Sequence, residues 1–293
     1  MPKPIRFGIV SAGAPSREEW VALARRAEEL GYSSLLMPDR AMTPLAPWSA
    51  LATASAVTTT LRVGSHVFAN DFRHPAIVAR EAATLDLLSN GRFELGLGAG
   101  VSQSDYDQLG LPFDSPGARV SRVAEALQII NQFFTQEVVN FSGKYYTVTN
   151  LPAVPKPVQR PHPPIFIGST GRRMLTLAAR EADSVGPEAR PARPGDAEAD
   201  ATREEKVAWI REAAGNRFDH LELCQTIFDL IITDSPVPAT PPRWSNMPLR
   251  EMTIEEAVAY LRSQHERFGF SYFHASGTQL ENLAPVVVRL AVA

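Results

Sequence analysis

Short apolar runs alternate with helix-period patterns from one end of this chain to the other, and that alternation restricts the fold more than any other feature. Runs near residues 6, 34, 63, 94, 166, 184, 224 and 272 have the length and apolar content of buried strands, and each precedes a helical pattern. Residues 16–30 typify the helices: Ser16 and Glu19 have capping-box spacing, Trp20, Leu23, Ala24, Ala27 and Leu30 share one face, and Gly31 stops the pattern. Other helices are expected at 47–58, 76–88, 120–134, 172–181, 203–214, 253–268 and 279–290. Eight strand–helix units in 293 residues predict an α/β fold of the (β/α)8 TIM-barrel type, with a doubly wound sheet as the competing arrangement.

The regularity breaks once. Residues 138–149 alternate around Ser142-Gly143-Lys144 and predict a β-hairpin, and the proline-dense stretch 152–164 predicts an extended surface segment. Residues of about 135–164 then form an insertion in a single domain spanning 1–293, and 187–201, poor in large apolar groups, is expected to be a mobile loop. A 44% hydrophobic content suffices for a large core, and a net charge of −3 argues against nucleic acid or an anionic membrane as partner. The one cysteine, Cys224, lies in an apolar run and reads as a buried structural thiol. No stretch approaches 18 uninterrupted apolar residues and the first ten lack a signal-peptide core, so a soluble, cytoplasmic protein is expected.

Ligands of parallel α/β proteins gather at the carboxyl ends of strands. The richest such ends lie in 61–100, a strand–helix–strand unit. Its first strand, 61–68, runs into Asn70, Asp71, Arg73 and His74, and its second, 93–97, into Gly96, Gly98 and Gly100. The third glycine comes one residue too early for a dinucleotide fingerprint; close approach by a flat ligand and packing at a barrel corner both remain open. The turn Gly168-Ser169-Thr170-Gly171 before Arg172-Arg173 carries the best phosphate signal: free N–H groups at a helix start, two hydroxyls and an arginine. An ordinary capped turn is the competing reading. His66 could be a core histidine, and Asp39-Arg40 a structural ion pair. There is no H-E-x-x-H, no C-x-x-C, no G-x-S-x-G and no Walker A, so no metal is expected and a borrowed organic cofactor is the economical source of chemistry.

Taken together, LRVG at 61–64, NDFRHP at 70–75, EAATLDLLSNGRFELGLGAG, LPFDSPGARVSR, PHPPIFIGSTGRRMLTLAAREAD and ERFGFSYF resemble the luciferase-like superfamily, most closely its branch of coenzyme F420-dependent oxidoreductases. The resemblance implies a bulge, often with a non-proline cis peptide, at His66-Val67 behind the cofactor ring. It implies Ala99, Gly100 and Val101 along the ring, with Asn70 beside the site. Gly168, Ser169, Thr170, Gly171 and Arg172 would hold the phosphate, and Asp39 would lie near the ring. The family's common His is replaced by Arg40, and its bulky or acidic residue by Val101. Asp39, Arg40 and His66 are the catalytic candidates; the proton donor stays open, with Tyr106 a further candidate. The implied reaction is hydride transfer between coenzyme F420 and a small organic substrate, with reduction of an activated C=C or C=N bond. An FMN-dependent monooxygenase and a non-catalytic cofactor-binding protein are the alternatives. A homodimer is expected, joined through the helices at 47–58 and 76–88.

Overall fold

The computed structural model describes residues 3–189, 200–238 and 249–291; most of the loop expected at 187–201 lies outside them. Eight parallel strands close into a barrel: β1 (Arg6–Val10), β2 (Ser34–Met37), β3 (Arg62–Ser65), β4 (Phe93–Gly98), β5 (Ile165–Ser169), β6 (Ser184–Pro187), β7 (Glu222–Thr226) and β8 (Phe270–Ser276). Each pairs with its sequence neighbour, and β8 returns to β1 with Arg6 opposite Tyr272 and Val10 opposite Ser276. That closure excludes the doubly wound sheet.

Helices α1 (Arg17–Glu29), α2 (Pro47–Ala56) and α3 (Pro75–Leu88) follow the first three strands. A short α4 (Gln103–Leu109) and a long α5 (Pro116–Thr135) follow β4. Then come α6 (Arg172–Glu181), α7 (Arg203–Ala214), α8 (Ile254–Phe268) and α9 (Leu280–Leu290). Local chemistry places their ends. Ser16 accepts from the Glu19 N–H, Thr253 and Glu256 form a full capping box, and prolines open α2, α3 and α5 at positions where no N–H is needed. On α1 the indole of buried Trp20 donates to the Ala50 carbonyl at 2.8 Å, locking α1 against α2. No helix among the described residues is long and apolar enough to cross a membrane.

The hairpin pairs Val138–Ser142 with Thr147–Pro152. Its turn is seated on α5, where the Glu125 carboxylate accepts the backbone N–H groups of Lys144, Tyr145 and Tyr146 at 2.8–3.1 Å. Two elements escape the sequence pattern: α4, and a parallel pair of three-residue strands, Leu230–Ile232 and Arg250–Met252. Both are too short to show a period.

The amino ends of the strands are closed by charge. Arg6 bonds Glu94 at 2.7 Å and Glu222 at 2.6 Å, Arg62 bonds Glu94 at 2.6 Å, and the buried Tyr272 hydroxyl donates to Glu94 at 3.0 Å. Burial alone would raise the Glu94 carboxyl; the two guanidinium groups outweigh it and hold it at about 2. The opposite, carboxyl end of the barrel is open.

Candidate active site

A cleft of about 1150 Å3 occupies that open end. Its floor begins where β3 breaks. The expected strand 61–68 is two pieces: β3 stops at Ser65, the His66–Val67 peptide is cis, and Phe68–Ala69 resumes pairing with Leu97 and Gly98 of β4. The glycines of β4 make this step fit. A Cβ on Gly96 would stand 2.0 Å from the Ser65 carbonyl oxygen, and one on Gly98 would stand 2.6 Å from Val67 Cγ2. The neighbour that approaches these glycines closely is therefore the protein itself rather than a ligand. Gly100, at φ +77°, is crowded in the same way by Tyr106.

His66 faces the cleft between aromatic rings. It stacks on Phe166 with centroids 5.3 Å apart and planes 19° from parallel, meets Phe228 edge-on at 6.1 Å, and its Nε2 lies 3.1 Å from Nδ1 of buried His274. Burial pushes the His66 imidazole down from 6.5 to about 4 and holds His274 well below its ordinary range, where His66 adds to the effect, so both rings are neutral at pH 7. One ring then donates to the other. The near-parallel His66 and Phe166 rings thus form an uncharged aromatic floor, which suits backing a ring system, and a neutral imidazole makes His66 a poor proton donor.

Asp39 and Arg40 line the cleft but are not a pair. Asp39 accepts two bonds from Arg73, at 2.6 and 3.1 Å, and one from the Ala69 N–H at 3.1 Å. It thereby anchors the segment after the cis step. Arg40 bonds Asp105 of α4 at 2.5 Å. Ala99, Gly100 and the exposed Val101 form one wall; Arg119 holds this wall by donating to the Ala99 and Gly100 carbonyls at 3.1 and 2.6 Å.

Asn70 lies elsewhere. The 3-10 turn at Asn70–Phe72 turns its buried side chain to the Tyr146 hydroxyl of the hairpin, at 2.9 Å, and away from the cleft. Tyr106 donates to Asp71 at 3.0 Å, and burial together with that carboxylate raises its phenol above the ordinary range.

The far end of the cleft is the turn after β5. Ser169, Thr170 and Gly171 line it, and Gly171 caps α6 without any side-chain bond to the first-turn N–H groups. A Cβ on Gly171 would meet nothing within 4 Å, so an anion can reach this helix start. Gly168 lines the cleft as well, and its missing side chain leaves room for Phe166 and Glu188. Arg172 does not reach the cleft. Its guanidinium bonds Glu212 at 3.3 Å and lies over Trp209, so the cation at this end is Arg173, which also bonds the Gly117 carbonyl and Ser121. One helical residue rotates a side chain by about 100°, which turn-level reading does not resolve. Glu188, just past β6, also lines the cleft and escapes sequence reading, because the polar stretch around it hides the end of the strand.

No group of three or more metal-ligating side chains occurs among the described residues.

Several known proteins share this architecture. The chain is 34% identical over 200 residues to an F420-dependent glucose-6-phosphate dehydrogenase of Nakamurella multipartita, and 32% over 193 residues to that of Microbacterium testaceum. The alignments cover 62% and 61% of this chain but 56% and 55% of the relatives, so the chain spans about half the length of the curated relatives it matches. In structure it is similar to the coenzyme F420-dependent tetrahydromethanopterin reductase of Methanopyrus kandleri, with a TM-score of 0.78 over 98% of this chain and 99% of that one; at 17% identity the likeness speaks to the fold. The model of the luciferase-like monooxygenase family matches residues 4–236, which take in the cis step, the cleft wall and the uncapped helix start, and the chain belongs to that family.

Proposed function

We propose that this protein is an oxidoreductase that binds coenzyme F420 in the cleft and passes hydride between it and a small organic substrate. The observation that carries this reading is the cleft's polarity along its length. A neutral aromatic floor at His66, Val67 and Phe166 lies at one end, and an uncapped helix start with Arg173 lies at the other. A flat deazaflavin ring with a phosphate on its side chain has the same two ends, so the residues fit the group. The names of the curated relatives support the same choice of cofactor.

When bound, the reduced deazaflavin supplies a hydride from its C5 and nothing else. The remaining work falls to this chain. Val67 and the neutral His66 support one face of the ring, and Ala99–Val101 run along it. The α6 start and the Ser169 and Thr170 hydroxyls receive the phosphate. The Arg40 cation can stabilise negative charge that develops on the substrate, while its own proton stays in place. An activated C=C or C=N bond is the substrate group this arrangement serves.

Fluorescence titration with coenzyme F420 and with FMN tests the reading. Micromolar binding of the deazaflavin supports it; binding of FMN alone, or of neither, overturns it. We also propose a homodimer through α2 and α3. Ile77 and Leu88, 40% and 70% exposed, lie three turns apart on one face of α3. Leu88→Asp should then sediment as a monomer, and a wild type that is itself monomeric would refute the pairing.

A further inference from the structure

The end of β6 delivers Glu188 to the cleft and fixes it there. Its N–H donates to the Ser169 and Gly186 carbonyls at 2.9 and 3.0 Å, and its own carbonyl accepts from Lys206 Nζ at 2.7 Å. The side chain occupies space that two glycines leave open: a Cβ on Gly186 would stand 3.0 Å from Oε1, and one on Gly168 would stand 3.5 Å from Cγ. Oε1 accepts the Thr226 hydroxyl at 2.7 Å.

Three carboxyl groups line the cleft among the described residues. Asp39 is paired with Arg73 and Asp105 with Arg40, so each of these carboxylates already answers a guanidinium. Glu188 has no cationic side-chain partner among those residues. The nearby Lys206 ammonium is taken by Asp200 at 2.6 Å and by the Glu188 backbone, and Arg203 is bonded to Gln264. From β7 the Thr226 hydroxyl bonds Glu188, and the buried Cys224 thiol lies close enough to feel its charge. Burial accordingly raises the Glu188 carboxyl, against weaker opposing effects from Thr226, Lys206 and Arg203. The other candidates are unsuitable: Tyr106 is tied to Asp71, and His66 and His274 carry no dissociable positive charge at pH 7.

We propose that Glu188 is the proton donor of this site, a role that rests on the oxidoreductase reading above. The substrate's double bond takes hydride from the reduced deazaflavin at one atom. Its π pair forms a new bond to the Glu188 proton at the other, and the carboxyl O–H pair remains on the oxygen. The resulting carboxylate is held by the Thr226 hydroxyl and is reprotonated by solvent. In the reverse direction the carboxylate accepts that proton.

The decisive measurement needs no cofactor. An infrared pH titration of the intact protein minus Glu188→Gln should show one protonated carboxyl persisting above the pH at which ordinary glutamates ionise. Thr226→Val should move its ionisation to still higher pH. Ionisation in the ordinary range overturns the proposal. Titration with coenzyme F420 judges the cofactor reading separately: if neither wild type nor Glu188→Gln binds, that reading fails while the infrared result still judges the carboxyl. With an enone that the wild type reduces, Glu188→Gln should lower single-turnover hydride transfer by roughly 10²–10⁴-fold and remove the alkaline limb of its pH profile. Glu188→Asp, which keeps an acid, should recover part of the rate. An undiminished rate in Glu188→Gln overturns the assignment.

Discussion

Arg172 and Arg173 stand side by side in sequence and face different surroundings, and the difference is measurable. Arg173→Ala should weaken coenzyme F420 binding by about 1.5–3 kcal/mol, the range for a hydrogen bond to a charged group, while Arg172→Ala should leave it unchanged. Fluorescence titration of both variants checks this, and the opposite ranking would move the phosphate away from the cleft end of α6. His66 sets a pH dependence. Its folded-state value of about 4 lies below the ordinary 6.5, so the unfolded chain takes up the proton first. The associated stability is complete above about pH 6.5 and declines as pH falls towards 4, by about 3 kcal/mol for a shift of this size. His274 acts with the same sign. Urea midpoints between pH 7 and pH 4.5 should fall in the wild type and fall less in His66→Gln. At this scale the sequence was informative where a residue type has one use and silent where direction matters. The cis step was expected at His66-Val67 from family resemblance. That Gly96 and Gly98 accommodate Ser65 and Val67, or that Asn70 turns to Tyr146, depends on distances between segments that spacing along the chain does not carry.

Among the elements, the hairpin is the least self-sufficient, since two strands alone are marginal in water. Its turn depends on one carboxylate on α5, which satisfies three backbone N–H groups. Glu125→Ala should speed amide exchange at Lys144, Tyr145 and Tyr146 and cost about 1–3 kcal/mol, since those donors lose their partner. Exchange mass spectrometry would detect it; protection equal to wild type would mean that strand pairing alone holds the turn. The hairpin itself was legible from alternation around Ser142-Gly143-Lys144. Its docking partner was not, because Glu125 reads as one more polar residue on a helix. Element ends followed the same division: capping signals located α8 through Thr253, while α4 had no pattern long enough to read.

The molecule as a whole separates stability from chemistry along the barrel axis. Arg6, Arg62, Glu94 and Glu222 close the amino end, and the cleft occupies the carboxyl end. Glu94→Gln leaves two half-buried guanidinium groups undercompensated and should cost about 1.5–3 kcal/mol in urea unfolding, the range for hydrogen bonds to charged groups. Coenzyme F420 affinity, measured where the variant is still folded, should not change. A large loss of affinity without loss of stability would show that the two ends are coupled.

Sequence by itself determined a parallel α/β fold of eight strand–helix units, because apolar runs at strand spacing with a helix behind each must bury both faces of a parallel sheet; the pairing of β8 with β1 then decided for the barrel over the doubly wound sheet. It also pointed to segments at both ends of the cleft, because glycine turns and helix starts are local. Tertiary structure alone decided which side chains face that cleft. Orientation on a helix, partners in ion pairs and the absence of a cationic partner for Glu188 among the described residues all arise from residues far apart in the chain, and only closure of the barrel brings them within bonding distance.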